Sequence, residues 1–325
     1  MTTRREFIMV LGAGAIALPL TAYGQQPAKI ARVGWLSYIA DPDPALALLR
    51  EGMRELGYVE GKSYLIVARS ANDEWSRLPK LVDELVAERV DVIVVRGAIA
   101  AFTIPIRSRI PVVFAFSGDP VEAGFADSLR KPGRNMTGIT FMAMDLAAKR
   151  VEVLKEMIPK ASRIALLSNP EHAGELSEYR VTEDTARRLG AAIKRYLVRN
   201  PQELTNAFAA IPAERPDAMI VFPDALTLAR RKDIADFAAR ARIPCIYGWT
   251  EYVESGGLFS YGPTAIESYK TLAGFVDKVL KGANASDIPI EQAKKITLTL
   301  NLAAAKALGL NVPQSILARA DKVIE

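Results

Sequence analysis

The sequence has very few of the residues that build metal sites and disulfides, since its 325 residues include one cysteine and one histidine. A single cysteine, Cys245, cannot form an intramolecular disulfide, which excludes a small fold held together by such bonds. Cys245 lies in an apolar strand pattern, and we interpret it as a buried packing residue. One cysteine and one histidine also cannot supply a zinc site of the usual nitrogen and sulfur type. We therefore expect neither a metal nor another cofactor.

Catalytic motifs are equally scarce. A Ser-His-Asp triad would have to use His172, and the sequence has no G-x-S-x-G turn to accompany it. Because Ala173 and Gly174 follow His172 near a predicted turn, we interpret this histidine as a residue of a surface loop. The spacing of the carboxylates singles out no acid–base pair, so an enzyme on an α/β fold stays open only as the less favoured alternative.

The chain also lacks a strong charge of either sign. It has 42 basic and 37 acidic residues and a net charge of +5, which is too mild to indicate a nucleic-acid partner. The basic residues are dispersed, except for the run Arg230-Arg231-Lys232. That run lies in an amphipathic helical pattern, and we interpret it as a solvated helix face.

Residues 1–24 are predicted to be an export signal peptide of the twin-arginine type. Arg4 and Arg5 precede Phe7, an almost uncharged apolar run extends from Ile8 to Leu20, and small residues then offer a cleavage site before Gln25. The run is shorter than the roughly 20 apolar residues that span a bilayer. The alternative is an uncleaved anchor. No cysteine lies near the cut, which excludes lipid attachment there, and the predicted location is the periplasm.

A dinucleotide-binding fingerprint, G-x-G-x-x-A, occurs at residues 12–17. Such a fingerprint requires a preceding strand and a surrounding βαβ unit. Here it falls inside the apolar part of the predicted signal peptide, so we reject it as a cofactor site.

The remaining sequence alternates short, continuous apolar runs with helical patterns, as in an α/β fold. Continuous apolar runs such as 91–95 and 111–116 are typical of parallel strands that are covered on both faces. Two successive series of such units predict two doubly wound parallel-sheet lobes joined by a multi-strand hinge. We predict lobe 1 over residues 25–138, lobe 2 over 139–258, and hinge crossings with returning C-terminal elements over 259–325.

In open parallel sheets, ligands bind beyond the carboxyl ends of the strands. The candidate ligand-binding residues are therefore those that follow the predicted strands, together with Trp75 in a longer loop. The full set is Ser37, Tyr38, Trp75, Gly97, Ala98, Phe116, Ser117, Asp119, Asn169, Asp224, Tyr247, Trp249 and Glu251.

These candidates suggest how an α-amino acid would bind. Ser117-Gly118-Asp119-Pro120 has the pattern of a helix start, whose free backbone N–H groups favour a carboxylate. Asp224, between a strand and a helix, would accept hydrogen bonds from an ammonium group. The aromatic candidates would supply an apolar slot. The alternatives are that the two aspartates only cap helices and that the aromatic residues belong to the core.

Several segments, in this order, resemble a known family: Arg4–Phe7, Leu56–Gly61, Gly118–Gly124, Pro132–Gly138, Gly256–Pro263, Ala305–Leu310 and Ala318–Glu325. They resemble the ABC-transporter substrate-binding proteins of the tryptophan/tyrosine type, which have a type I periplasmic-binding fold. The resemblance covers the mature chain nearly from end to end. It implies a monomer that captures a small organic ligand, an aromatic or large apolar amino acid, and delivers it to an ABC permease in the inner membrane.

This chain departs from the family where ligand contacts are expected. Family members usually have glycine, a hydroxyl residue and proline after the third strand, whereas this chain has Gly97, Ala98 and Ile99. Tyr38 stands where small residues are common. Both departures favour the alternative that the ligand is an aromatic or other apolar organic acid, bound for uptake or for a membrane sensor.

Overall fold

The computed structural model describes residues 30–39, 43–141, 143–293 and 295–325, and it does not describe the side chains of residues 265–267. The predicted export signal, residues 1–24, lies outside the described residues. Among the helices within these ranges, none is long and apolar enough to cross a membrane.

Strands and helices alternate along most of the chain. In chain order the strands are β1 (Ala31–Ser37), β2 (Tyr64–Ser70), β3 (Val92–Arg96), β4 (Val112–Phe116), β5 (Met136–Thr140), β6 (Arg163–Ser168), β7 (Ala192–Leu197), β8 (Ala218–Val221), β9 (Cys245–Tyr247), β10 (Phe259–Gly262), β11 (Glu291–Gln292), β12 (Thr297–Asn301) and β13 (Lys322–Ile324).

The α-helices are α1 (Pro44–Glu55), α2 (Leu78–Ala87), α3 (Ala143–Met157), α4 (Glu175–Arg188), α5 (Pro201–Ala210), α6 (Ala225–Ala229), α7 (Arg231–Arg240), α8 (Glu251–Glu254), α9 (Ala265–Leu280), α10 (Leu302–Leu308) and α11 (Gln314–Arg319). Shorter 3-10 helices cover Trp75–Arg77, Gly97–Ile106, Ile211–Glu214 and Ala285–Asp287.

Within the described residues these strands form two sheets, and each sheet is the centre of one lobe. The sheet of lobe 1 has the order β11-β5-β4-β3-β1-β2, and the sheet of lobe 2 has the order β13-β12-β10-β9-β8-β6-β7. The pairs are parallel except β10 with β12. All residues of β3 and β4 are buried, as the continuous apolar runs predicted for strands covered on both faces. The two-lobed α/β fold expected from the sequence is confirmed.

The chain passes between the lobes three times within the described residues. It leaves lobe 1 after β5, returns after β10 so that α9 packs against α1, and leaves again between β11 and β12. Gly52 permits the close approach of α1 and α9, because a Cβ there would lie 2.5 Å from the Lys270 carbonyl oxygen. Several strands crossing one boundary are the architecture of a hinge.

Two helices differ from the prediction. No helix begins at Asp119: residues 120–124 form a turn, Gly124 has φ of +74°, and Phe125 then packs against Phe114 and Phe116. The helix start proposed for a ligand carboxylate is therefore wrong, because the left-handed glycine directs the chain into the core. The amphipathic helical pattern that contains Arg230-Arg231-Lys232 does not form one continuous helix, because α6 and α7 are divided at Arg230.

Candidate ligand-binding site between the two lobes

Loops that follow the strands of one lobe lie directly against those of the other, and we call this boundary the seam. Gly97, which follows β3 in lobe 1, has φ of +68°, and a Cβ on it would lie 3.2 Å from the Ala225 Cβ of lobe 2. Leu226 of lobe 2 belongs to a buried cluster that otherwise consists of lobe 1 side chains. The carboxyl ends of both sheets therefore meet at the place where parallel sheets bind ligands.

A buried hydrogen-bond chain crosses the seam. The Ser117 hydroxyl of lobe 1 lies 2.6 Å from His172 Nε2 and donates to the Pro223 carbonyl, 3.0 Å away, both in lobe 2. The Gly174 amide donates to His172 Nδ1, which makes Nε2 the protonated nitrogen and Ser117 its acceptor. Each lobe thus supplies hydrogen-bond partners to buried polar groups of the other.

His172 is buried, with 5% of its surface exposed, so its interpretation as a surface-loop residue is wrong. Its ring stacks on Phe116 with centroids 4.9 Å apart. Burial lowers the pKa of the imidazole, while the charges of Asp224 and Glu175 oppose that shift. Sequence reasoning missed this contact because it depends on two loops 55 residues apart meeting across the seam.

Tyr38 and Trp75 contact lobe 2 at a second point. Their rings lie 4.8 Å apart, and Trp75 Nε1 donates to the Arg199 carbonyl oxygen at 3.0 Å. The Tyr38 hydroxyl lies 3.0 Å from the same oxygen and 2.7 Å from the Asp73 carbonyl oxygen of lobe 1, and its single proton serves one of them at a time. Burial, followed by the charge of Asp73, raises the pKa of the Tyr38 phenol, so this side chain stays a neutral donor. These two predicted residues therefore come together and join the lobes.

Asp224 has the local role of a helix cap. Its Oδ1 atom accepts from the Leu226 amide at 2.9 Å and from Asn169 Nδ2 at 3.1 Å, and the carboxylate begins α6. Asp119 likewise caps its turn, since Oδ1 accepts from the Val121 amide at 2.7 Å. Helix capping, the alternative role considered for Asp224 from the sequence, is confirmed. A ligand contact of Asp224 stays a prediction.

The residue that sequence reasoning missed most clearly is Arg96, at the end of β3. Its Nη2 atom donates to Asp43 Oδ1 at 2.9 Å, and its guanidinium carbon lies 5.3 Å from the Tyr269 ring centre. Asp43 also accepts from Ser37 at 2.7 Å and from Trp35 Nε1 at 3.2 Å. A charged residue ending an otherwise apolar strand was the signal that marked this position.

A cavity of about 270 Å³ opens beside Arg96, between the lobes. Its lining residues come from the loops after β1 and β2, the end of β3, α1, α9 and the junction of α6 and α7: Ile39, Pro44, Ala45, Leu48, Asp73, Arg96, Leu228, Ala229, Arg230, Arg231 and Tyr269. None of the thirteen predicted site residues, all of which the structure describes, is among them. Ser37 is connected to the cavity through hydrogen bonds, because both Ser37 and the lining residue Arg96 donate to Asp43.

The other aromatic candidates do not form one slot. Tyr247 stacks on Tyr252 at 4.6 Å, and Trp249 meets Phe141 edge to face at 6.0 Å. Among the described residues, Trp249 Nε1 and the hydroxyl of Tyr247 have no hydrogen-bond partner. Glu251 is buried in lobe 2, and Ala98 is buried in lobe 1. Five of the predicted residues of lobe 1 contact lobe 2 across the seam: Tyr38, Trp75, Gly97, Phe116 and Ser117. Asn169 and Asp224 bond to each other in lobe 2, whereas Ser37 bonds to Asp43 in lobe 1 and Asp119 lies in a half-buried turn.

Residues 43–324 match the model of a protein family described as ABC transporter substrate binding protein. A curated relative, the tyrosine-binding protein of Clostridioides difficile, is 24% identical over 275 residues, which cover 82% of this chain and 78% of the relative.

Two solved structures show the same fold. An ABC domain from Streptococcus pneumoniae in complex with L-Trp has a TM-score of 0.80 at 24% identity, covering 91% of this chain and 100% of that one. A ligand-free, open substrate-binding protein from Clostridium difficile has a TM-score of 0.60 at 22% identity, covering 91% and 99%. The present structure is thus more similar to the tryptophan complex than to the open protein.

Proposed function

This chain belongs to the ABC transporter substrate-binding protein family, and we propose that it is the periplasmic component of an importer that captures a small carboxylate with an aromatic or large apolar body. In this proposal residues 1–24 export the chain and are removed. The mature monomer then delivers its ligand to an ABC permease and catalyses no reaction.

The observation that carries the proposal is the seam itself. Polar groups of each lobe are satisfied by the other, as in the bonds of Ser117 to His172 and Pro223. Such bonds exist only when the lobes are together, so they favour a closed state that a ligand between the lobes would stabilise further. The three chain crossings supply the hinge about which the lobes would open.

The names of the relatives guide the choice of ligand class. One relative is named for tyrosine and another was solved with L-Trp, and both ligands combine a carboxylate with an aromatic body. We propose the same two features for the ligand of this chain, with the seam residues closing over it.

A thermal-shift screen of residues 25–325 against aromatic amino acids, aromatic acids and aliphatic acids, with nucleotides and sugars as comparison classes, tests this function. A ligand at about 100 times its dissociation constant adds roughly 2.7 kcal/mol of stability, which raises the melting temperature by about 5 °C or more. Shifts confined to carboxylates with an apolar body support the proposal. Shifts with nucleotides or sugars, and none with carboxylates, would contradict it.

A further inference from the structure

We propose that Arg96 anchors the carboxylate of the ligand, and that the cavity beside it selects an apolar or aromatic acid without an α-ammonium group. The inference rests on the proposed function and names the substrate class of the same site. It is carried by three observations: the donors that Arg96 presents, the charges around the cavity, and the apolar remainder of the wall.

Arg96 lines the cavity, and Asp43 accepts hydrogen bonds from only part of its guanidinium group. Its side chain is 6% exposed, and one of its two terminal nitrogens is held by Asp43 Oδ1 at 2.9 Å. Among the described residues, the buried Nε atom has no hydrogen-bond partner. A guanidinium has five N–H donors, and leaving one buried without an acceptor costs about 1–3 kcal/mol. A carboxylate is the acceptor that the planar guanidinium fits best, because two N–H groups can bind its two oxygens.

The charges around the cavity favour an anion over a ligand that also carries an ammonium group. Three arginines line it, Arg96, Arg230 and Arg231. Asp73 is the one acid among its described lining residues, and Arg230 Nη2 lies 3.6 Å from its Oδ2 atom. Asp43, behind Arg96, is equally engaged in an ion pair. An α-amino acid would therefore bring its ammonium group toward three cations and a single carboxylate, Asp73, which already pairs with Arg230.

Asp224 does not offset the excess of positive charge around the cavity. It is absent from the cavity lining, and its Oδ1 atom already accepts from Leu226 and Asn169. The rest of the wall is apolar and includes Leu48 and Leu228. Drug-sized ligands occupy pockets of about 300–1,000 Å³, so a cavity of about 270 Å³ suits a small molecule with one apolar body.

The test compares two probes that differ only in the α-ammonium group, 3-phenylpropanoate and L-phenylalanine, with 3-phenylpropanamide as the uncharged analogue. Calorimetry on residues 25–325 should show at least tenfold tighter binding of the propanoate than of L-phenylalanine, and no measurable binding of the amide.

The Arg96 variants test the anchor. Arg96→Lys keeps the charge but loses the planar fork, and Arg96→Gln loses both, so each should weaken 3-phenylpropanoate binding tenfold or more. Arg150→Lys is the matched control, because Arg150 is also buried in an ion pair, with Glu178 at 2.8 Å, but lies outside the cavity. If Arg96→Gln does not fold, Arg96→Gln combined with Asp43→Asn removes the ion pair without leaving a buried charge.

Each result decides a separate point. Tighter binding of L-phenylalanine would overturn the inference and leave the proposed function standing. Equal loss of propanoate affinity in Arg96→Lys and Arg150→Lys would overturn the anchoring role and make the Arg96–Asp43 pair purely structural. If neither these probes nor any other carboxylate of the thermal-shift screen binds, the proposed function fails and the inference fails with it.

Discussion

Replacing Ser117 with alanine should weaken ligand binding while leaving each lobe intact. The hydroxyl accepts from His172 Nε2 and donates to the Pro223 carbonyl, so its loss leaves a buried donor and a buried acceptor without that partner. Both groups belong to lobe 2, and they are buried against lobe 1 only when the lobes are closed. The variant should therefore destabilise the closed state relative to the open state.

The expected size follows from the cost of an unsatisfied buried polar group, about 1–3 kcal/mol. If water satisfies one of the two groups and the other stays unpaired, the closed state loses about that amount. Because every 1.4 kcal/mol is a factor of ten, ligand affinity should fall roughly 5- to 150-fold.

Isothermal calorimetry with 3-phenylpropanoate measures this change, and Ser128→Ala is the matched control. The Ser128 hydroxyl donates to the Lys131 carbonyl within one exposed turn of lobe 1, so its loss should not alter affinity. Unchanged affinity in Ser117→Ala would refute the reasoning, because the bond across the seam would then make no contribution to closure.

Three further changes have defined outcomes. Burial lowers the pKa of His172 below its usual 6.5, so on acidification the imidazole is protonated in the unfolded chain before it is protonated in the folded one. The free energy of unfolding should therefore fall as the pH drops below about 6.5. Urea unfolding at pH 7.5 and 5.0 should show a smaller fall for His172→Gln, and an identical fall would contradict this. Asp224→Ala removes the cap bond to the Leu226 amide and should lower the free energy of unfolding by about 0.5–2 kcal/mol. An unchanged midpoint in urea unfolding would disprove this. Gly138→Ala should prevent folding, since its Cβ would lie 1.9 Å from the Phe114 carbonyl oxygen, and a normal circular dichroism melt would argue against that.

The fold could be predicted because its strongest signals are local. Runs such as Val92–Val95 are apolar throughout, and a strand covered on both faces buries every residue of such a run. The lobe to which the late elements return was beyond this reasoning. Strand β11 pairs with β5 and strand β12 with β10, and these choices depend on packing between distant segments.

The site was predicted less well than the fold, because strand ends identify an edge but not which side chains face a cavity. Ser117 was found by this rule and lies on the seam. Arg96 was passed over although it directly follows the run 91–95, because its ion pair with Asp43 joins residues 53 positions apart and has no local signal. His172 was misjudged for the same reason, because its burial comes from a contact with the other lobe.

The central claim is that the two lobes close over a ligand, and the distance between them tests it most directly. Cys245 is the only cysteine of the chain and is buried, so spin labels can be placed on cysteines introduced at the exposed positions Ser76 in lobe 1 and Gln202 in lobe 2. Electron paramagnetic resonance should then show a broad or long distance distribution without ligand. We expect a shorter, narrower one with saturating 3-phenylpropanoate, or with the carboxylate that most raises the melting temperature. An unchanged distribution in the presence of a bound ligand would contradict the account.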